Sequence, residues 1–204
     1  MAIDLRACLN VISDVVNNRP HPLREFDQIF MKTADVLLQT EHVGRLFEGK
    51  RVVFIGDGDA IGLCLVHLHN MGLVEHGPTS VHVLDFDECV VLSIRAFAER
   101  FSISKRVSDE LYNVADALPQ EHWEKFECFY TNPPFGASNH GKSNKGFLQR
   151  GIESVGYAAL GCLVLAAHPA AGRVHSSHGS NGFSFAAGPM PPRMQVARTR
   201  RIPS

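Results

Sequence analysis

The chain opens with apolar residues at helical spacing and changes its period near residue 51. Apolar side chains recur every three or four positions in residues 4–17 and 23–48, which predicts two helices separated by a break at 18–22. Residues 51–59, RVVFIGDGD, form a β-branched apolar run that ends in Gly and Asp. That pattern is typical of a strand buried on both faces, so a parallel sheet is expected after the helices.

Helical and strand patterns then alternate up to residue 167. Helices are predicted at 60–72, 88–101 and 143–160, with Ser143 as an N-cap, and strands at 80–87, 109–116, 126–134 and 160–167. This alternation predicts an α/β fold: a doubly wound, mostly parallel, Rossmann-like sheet whose ligand crevice lies beyond the carboxyl ends of the strands. The expected division is an N-terminal helical segment at 1–48, a Rossmann-like domain at 49–167 and a tail at 168–204.

The tail differs from the rest of the chain in composition. No Asp or Glu follows Glu153. The sequence after Pro169 is largely Ala, Gly, Pro, Ser, His and Arg, and its apolar residues do not recur at helical or strand spacing. These features predict a disordered tail, and a sheet that is truncated after its fifth strand.

Composition narrows the class of protein. With 204 residues, 45% of them apolar, the chain can bury one core, and its net charge of -1 provides no overall field for nucleic acid or an anionic membrane. The 5 cysteines occur singly and form no CxxC pair, which indicates reduced, buried thiols. No apolar run of membrane-spanning length and no signal-peptide pattern is present, so a cytoplasmic, unanchored protein is expected. His67 and His69 do not share a helix face, and no metal site is predicted.

The end of the first predicted strand carries candidate chemistry. Glycines at Gly56, Gly58 and Gly62 allow a tight turn and the close approach of a ligand, but their spacing is not that of a dinucleotide site. Asp57 and Asp59 at this turn would repel a pyrophosphate and attract a cation. A sulfonium nucleoside with an amine beside it fits that charge, although a merely structural turn is the alternative.

Two later strand ends provide further candidates for nucleoside binding. Asp85 and Asp87 follow the second strand, where a carboxylate can accept hydrogen bonds from both ribose hydroxyls. Asp116, next to Ala117, can accept a hydrogen bond from the exocyclic amino group of an adenine. Helix capping is the alternative role at each position.

The most specific motif lies at the end of the strand predicted at 126–134. Pro133 and Pro134 hold the backbone extended after Asn132, and the Asn132 side-chain oxygen and the Pro133 carbonyl can both accept from one amine nitrogen. Phe135 offers an apolar face to the substituents of that nitrogen. Acceptors that hold the protons of an amine can aim its lone pair at a donor carbon.

Taken in order, these strand ends resemble the class I S-adenosylmethionine-dependent transferase fold, and most of all the catalytic domain of the N4-bis(aminopropyl)spermidine synthase family, the branched-chain polyamine synthases. The matching segments are 46–59, 82–88 and 128–138, followed by 146–154. The resemblance implies an enzyme that transfers an aminopropyl group from decarboxylated S-adenosylmethionine to an amine nitrogen of a polyamine. S-adenosylmethionine itself is the alternative co-substrate, and no metal is expected. It also implies that Asp57 and Asp59 hold the polyamine cation and take up its proton, and that Asp85 binds the ribose.

The chain departs from that family's pattern in ways that keep alternatives open. Gly58 interrupts a Gly-Asp-Asp-Asp run, and Asn132 and Phe135 replace the ends of an Asp-Pro-Pro-Glu run. Asn-Pro-Pro-Phe also resembles the motif of N-methyltransferases that act on adenine or glutamine, and only under that alternative is nucleic acid expected as a partner. The third hypothesis is a catalytically inert truncated homologue. The other expected partners are the polyamine and, as an option, a second copy in a homodimer.

One motif favours a different class of enzyme. Residues 136–143 satisfy the phosphate-loop pattern GxxxxGK[ST] literally. However, the segment from Asn132 to Phe135 separates the apolar part of the strand from the first glycine, and no apolar strand ending in Asp follows to coordinate Mg²⁺. A loop over the active site explains the segment better.

Overall fold

The computed structural model describes residues 4–26, 28–134, 142–156, 159–166, 183–187 and 194–201. The helices are α1 Leu5–Asn18, α2 Thr33–Leu46, α3 Ile61–Asn70, α4 Glu88–Arg100 and α5 Lys142–Val155, with 3-10 turns at Arg24–Phe26 and Gln120–His122. The strands are β1 Arg51–Ile55, β2 Ser80–Asp85, β3 Val107–Leu111, β4 Cys128–Thr131, β5 Leu160–Ala166, β6 Phe183–Ala187 and β7 Met194–Arg201.

The strands form one sheet in the order β3-β2-β1-β4-β5-β7-β6. Strands β1 to β5 are parallel, and β1 lies between β2 and β4, so that Val52 pairs with Val81 on one side and with Cys128 on the other. The chain moves to opposite sides of β1 in reaching β2 and β4. The carboxyl ends of β1, β2 and β4 therefore meet at a topological switch point, and the doubly wound, Rossmann-like fold expected from the sequence is confirmed.

Helices cover both faces of the sheet. The larger core packs α1, α2, α3 and α4 against one face, with side chains such as Ile12, Val43 and Phe97 fully or almost fully buried. The smaller core packs α5 and the chain around the second 3-10 turn against the other face, around Phe129 and Leu118. The two N-terminal helices thus share a core with the sheet.

The second helix is shorter than its apolar pattern predicts. It begins at Thr33 rather than at residue 23, because the amide of Met31 donates to the Asp59 side chain and the backbone at Lys32 is extended. Ile29, which fits the helical spacing, is 88% exposed. The apolar residues before Thr33 therefore lie in a loop. Their spacing alone does not distinguish this loop from a helix.

The described residues also include two strands after the parallel part of the sheet. The parallel part of the sheet ends at β5 as expected, but the sheet continues: β7 pairs antiparallel with β5, and β6 pairs antiparallel with β7. Both strands lie within residues 168–204. Their partner is the open edge of β5, whose backbone groups need hydrogen bonds whatever the side-chain pattern of the pairing strand.

Two smaller expectations change as well. Ser143 is the second residue of α5 and not its N-cap, because the helix begins at Lys142. Cys89 is exposed near the start of α4, whereas the other four cysteines are buried as predicted. None of the five, all of which the structure describes, is joined in a disulfide.

Candidate active site

The turn after β1 is built around Asp57. Its two carboxylate oxygens accept hydrogen bonds from the amides of Ile61 and Gly62, each at 2.8 Å, and so satisfy the first free amides of α3. Gly56 adopts a φ of 74°, which lets the chain turn sharply out of the strand. Asp57 is 3% exposed, so its carboxylate is a buried helix cap.

Asp85 ties the end of β2 to this turn. Its Oδ2 accepts from the amide of Asp57 and its Oδ1 from the amide of Asp87, both at 2.9 Å. Asp87 in turn caps α4 through Oδ1, which accepts from the amide of Cys89 at 2.9 Å, while its Oδ2 is buried and has no hydrogen-bond partner among the residues that the structure describes. The free acceptor at this strand end therefore belongs to Asp87.

Asp59 meets the Asn-Pro-Pro motif at the switch point. The Asn132 amide nitrogen donates to Asp59 Oδ2 at 2.7 Å, although the two residues are 73 positions apart. With its nitrogen committed to Asp59, Asn132 keeps its side-chain oxygen as an acceptor. Pro133 is buried next to it. The ends of β1 and β4 are thus in direct contact.

A second set of contacts reaches Asp59 from the N-terminal segment. The Met31 amide donates to Asp59 Oδ1 at 2.6 Å, and Arg19 Nη1 lies 3.6 Å from the same oxygen. Arg19 also donates to the main-chain oxygens of Asp59 and Met31, at 3.2 and 3.1 Å. Its side chain is 9% exposed, so this is a buried ion pair. Nothing in the local sequence around Arg19 or Met31 pointed to a role at the site.

Gly58 lies directly under a side chain of the N-terminal segment. A Cβ atom at this position would collide with the ring of Phe30, which packs directly over the turn. The Arg19 guanidinium lies over the Phe30 ring, with its carbon 5.3 Å from the ring centroid. The absence of a side chain at Gly58 thus makes room for the Phe30 ring.

Burial sets the protonation behaviour of the carboxylates. Removal from water raises the pKa of Asp57 well above its usual range, and the charges of Asp59 and Asp85 raise it further, although two helix amides oppose the shift. Burial likewise raises the pKa of Asp59 against the Met31 amide, the Asn132 side chain and Arg19, and it raises the pKa of Asp85. Carboxylates of this kind take up a proton more readily than exposed ones.

The other predicted positions lie around this centre or outside the described residues. The Tyr112 amide donates to the Asp85 carbonyl at 2.8 Å, which brings the loop after β3 to the end of β2, and the Tyr112 hydroxyl donates to the Asp116 carbonyl at 2.8 Å. Asp116 and Ala117 are exposed on this loop. Phe135 and most of the phosphate-loop pattern at 136–143 lie outside the residues that the structure describes.

The two histidines of α3 have separate surroundings. His67 packs its ring against Phe97 and Phe101, with centroid distances of 5.2 and 4.5 Å, and His69 Nδ1 lies 2.9 Å from Arg106 Nη2. Within the described part of the chain, no helix is both long and apolar enough to cross a membrane.

Residues 7–173 match the family described as branched-chain polyamine synthase A C-terminal domain. An N(4)-bis(aminopropyl)spermidine synthase of Methanocaldococcus jannaschii is 28% identical over 150 residues, which are 72% of this chain and 39% of the relative. An uncharacterized protein of the same organism is 32% identical over 117 residues, covering 57% of this chain and 26% of that protein. The chain thus spans well under half the length of these curated relatives.

Solved structures share the fold. The branched-chain polyamine synthase of Thermus thermophilus, in complex with N4-aminopropylspermidine and 5'-methylthioadenosine, has a TM-score of 0.63 at 23% identity, over 78% of this chain and 43% of that one. A candidate RNA methyltransferase from Pyrococcus horikoshii has a TM-score of 0.64 at 14% identity, over 97% of this chain and 100% of that one. Both likenesses place the sheet in the methyltransferase-like group of Rossmann folds.

Proposed function

The chain belongs to the branched-chain polyamine synthase A family, and from this premise we propose that it transfers an aminopropyl group from decarboxylated S-adenosylmethionine to an amine nitrogen of a polyamine. The observation that carries the proposal is the hydrogen bond between Asp59 and Asn132 at the ends of β1 and β4. It places a carboxylate and an amide oxygen together at the switch point, where ligands of doubly wound sheets bind.

The donor supplies an electrophilic methylene carbon next to its sulfonium. The Asn132 oxygen and the carbonyl of Pro133 accept hydrogen bonds from the incoming amine and direct its lone pair at that carbon. The new carbon–nitrogen bond forms as the carbon–sulfur bond breaks, and its electron pair goes to sulfur, which leaves as methylthioadenosine. The nitrogen then carries one proton too many.

Asp59 is the acceptor for that proton. Each of its oxygens already accepts one hydrogen bond, and a carboxylate oxygen can accept a second. Burial raises the pKa of Asp59, so its carboxylate binds a proton more strongly than an exposed aspartate does. Arg19 holds the carboxylate in place and limits that rise.

Asp57 serves the site indirectly in this proposal. Both its oxygens accept from α3 amides, so its carboxylate fixes the start of that helix. Asp85 is similarly engaged by two backbone amides, whereas Asp87 Oδ2 is a buried acceptor without a partner. We therefore assign the ribose hydroxyls to Asp87 first, with Asp85 shaping the turn, and the adenine to the loop of Asp116 and Ala117.

S-adenosylmethionine-dependent N-methylation is the second candidate. It is favoured by the amide at position 132, since an amide oxygen and a proline carbonyl orient a neutral nitrogen without needing a polycation. The methyl donor would occupy the same strand ends, and only the group transferred would differ. The identity of the donor therefore distinguishes the two candidate functions, whereas the position of the site does not.

The test is turnover with each donor. The purified chain is incubated with spermidine and decarboxylated S-adenosylmethionine, and methylthioadenosine and aminopropylated product are measured by mass spectrometry. Binding is measured in parallel by thermal shift with S-adenosylmethionine, its decarboxylated form, methylthioadenosine and Mg-ATP, because a ligand of the folded state raises apparent stability. Asp59→Asn is expected to lose at least about 100-fold in rate, the scale of a lost general base.

Asp14→Asn, on the exposed side of α1, is the matched control and is expected to retain the parental rate. Full turnover in Asp59→Asn would remove the proposed proton acceptor. A stability gain with S-adenosylmethionine but not with its decarboxylated form favours methylation, and one with Mg-ATP alone favours phosphate binding. A folded chain that binds none of these ligands favours the inert homologue.

A further inference from the structure

Two histidines and a glutamate meet on the α5 face of the sheet, away from the switch point. His82 lies on β2, Glu110 lies on β3, and His122 ends the 3-10 turn that follows β3. The side chains are 15%, 39% and 11% exposed, respectively. No local sequence motif pointed to this cluster, because its members are spread over three elements.

The three side chains point their ligating atoms at one another. One atom from each lies within 4.8 Å of the other two. His122 Nε2 is 2.8 Å from Glu110 Oε2, and His82 Nε2 is 4.0 Å from the same oxygen. His82 Nε2 is buried and makes no hydrogen bond to any residue that the structure describes. A buried ring nitrogen of this kind lacks a partner that an ion can provide.

The contacts of His82 outside the cluster are typical of a metal-binding histidine. The other ring nitrogen of His82, Nδ1, lies 2.7 Å from the hydroxyl of Ser108, which fixes the ring orientation and leaves Nε2 facing the cluster. Phe126 stacks on the His82 ring, with centroids 5.6 Å apart and planes 15° from parallel, and forms an apolar wall. Glu110, the most exposed of the three, marks the side from which an ion can enter.

We propose that His82, Glu110 and His122 bind a zinc ion, with water as the fourth ligand. Two imidazole nitrogens and one carboxylate oxygen are a donor set that zinc uses, whereas Mg²⁺ and Ca²⁺ prefer oxygen ligands. Tetrahedral bonds of about 2.0–2.1 Å put neighbouring ligand atoms roughly 3.4 Å apart. The 2.8 Å pair must therefore open, and the 4.0 Å pair must close, by about half an ångström each.

The site lies apart from the transfer centre. His82 precedes Asp85 by three residues on β2, a distance of about 10 Å along a strand. The ion joins the 3-10 turn at Gln120–His122 to two strands, and this turn closes the loop that carries Asp116 and Ala117. Zinc is thus expected to order that loop and to stabilise the folded chain, independently of any activity.

The experiment uses the full chain after removal of metal with a chelator. Zinc chloride is titrated by calorimetry, Co²⁺ is added as a spectroscopic probe of coordination, and thermal stability is measured with zinc and with Mg²⁺. Zinc is expected to raise the melting temperature reversibly, and Mg²⁺ is not. His122→Gln should weaken this site by more than the 10–100-fold that loss of an outer contact typically costs, and Ser108→Ala by about 10-fold.

His76→Gln is the matched control, because His76 Nδ1 pairs with Glu48 at 3.1 Å and the pair belongs to no three-residue cluster among the described residues. It should retain the parental zinc affinity. If His122→Gln does not fold by circular dichroism, Glu110→Gln, at a more exposed position, replaces it. Equal zinc affinity in the parental chain and the ligand variant, which would locate binding elsewhere, or no zinc uptake by the parental chain, overturns the proposal.

Discussion

At the scale of single residues, Asp59 is held by groups from three parts of the chain. The Met31 amide, the Asn132 side chain and the Arg19 guanidinium all contact its carboxylate, at 2.6, 2.7 and 3.6 Å. Even so, burial outweighs these partners and raises its pKa above the ordinary value of 3.8. An aspartate in this state favours the protonated form in the folded protein more than in the unfolded chain.

The sign of the pH dependence follows from that shift. A raised pKa in the folded state means that the contribution of Asp59 to stability is fully present below pH 3.8 and is lost as pH rises through its folded pKa. Asp59→Asn lacks this loss, so its free energy of unfolding relative to the parental chain should increase with pH. The slope cannot exceed about 1.4 kcal/mol per pH unit for one group.

Urea unfolding of both proteins between pH 4 and pH 8 measures this difference. The substitution also changes the hydrogen bonds to Met31 and Asn132, which affects the size of the difference in free energy of unfolding. The test is therefore how this difference changes with pH, not its value at one pH. Asp14→Asn supplies the baseline for loss of an exposed carboxylate. A stability difference between Asp59→Asn and the parental chain that is flat, or that falls with pH, would contradict the assignment.

At the scale of elements, the loop before α2 closes over the turn after β1. Phe30 fills the space that Gly58 leaves, and Met31 continues the loop to Asp59. The family pattern noted above has an aspartate where this chain has Gly58. The loop and the glycine are therefore a matched pair, since an added side chain at 58 and the ring of Phe30 compete for the same volume.

Restoring the carboxylate at position 58 should therefore destabilise the fold. Gly58→Asp is expected to lose about 1–3 kcal/mol, the usual cost of overpacking, because its Cβ atom collides with Phe30. In the double variant with Phe30→Ala, much of the penalty from Gly58→Asp should disappear. A double-mutant cycle by urea unfolding measures this coupling, and additive losses would show that Phe30 is not the obstacle.

At the scale of the whole molecule, β5 is an interior strand of the sheet. It pairs with β4 on one side and with β7 on the other, in the order β4-β5-β7-β6. Its sequence, LGCLVLA, is apolar throughout. Without β7, such a strand would present free backbone groups and an apolar surface at the edge of the sheet.

Removal of the residues after 167 should therefore cause association. Light scattering after size-exclusion chromatography is expected to show aggregates, or higher oligomers, that the full chain lacks. A chain that lacks only residues 202–204, which lie beyond β7, is the matched control and should behave as the full chain does. A monodisperse shortened chain of unchanged stability would mean that β7 is dispensable for covering β5.

The local sequence determined much of this protein by itself. The apolar run at β1, the helical spacing of α3 and α4, and the Asp and Asn residues at the strand ends predicted a doubly wound sheet and most of the polar residues at its switch point. These features are legible because burial of a strand or of a helix face imposes a period on neighbouring residues. The same local patterns could not separate a helix from the loop at 28–32, since Phe30 and Met31 are fixed by the turn of Gly58 and Asp59.

Contacts between distant segments determine which polar side chain at the strand ends caps a helix and which one contacts another strand end. Asp57 and Asp59 look equivalent in sequence, yet Asp57 caps α3 while Asp59 meets Asn132 from 73 positions away. The pairing of β7 with β5 and the meeting of His82, Glu110 and His122 have the same origin. Each depends on contacts between distant segments, and their energies are set by burial and hydrogen-bond partners that exist only once the chain has folded.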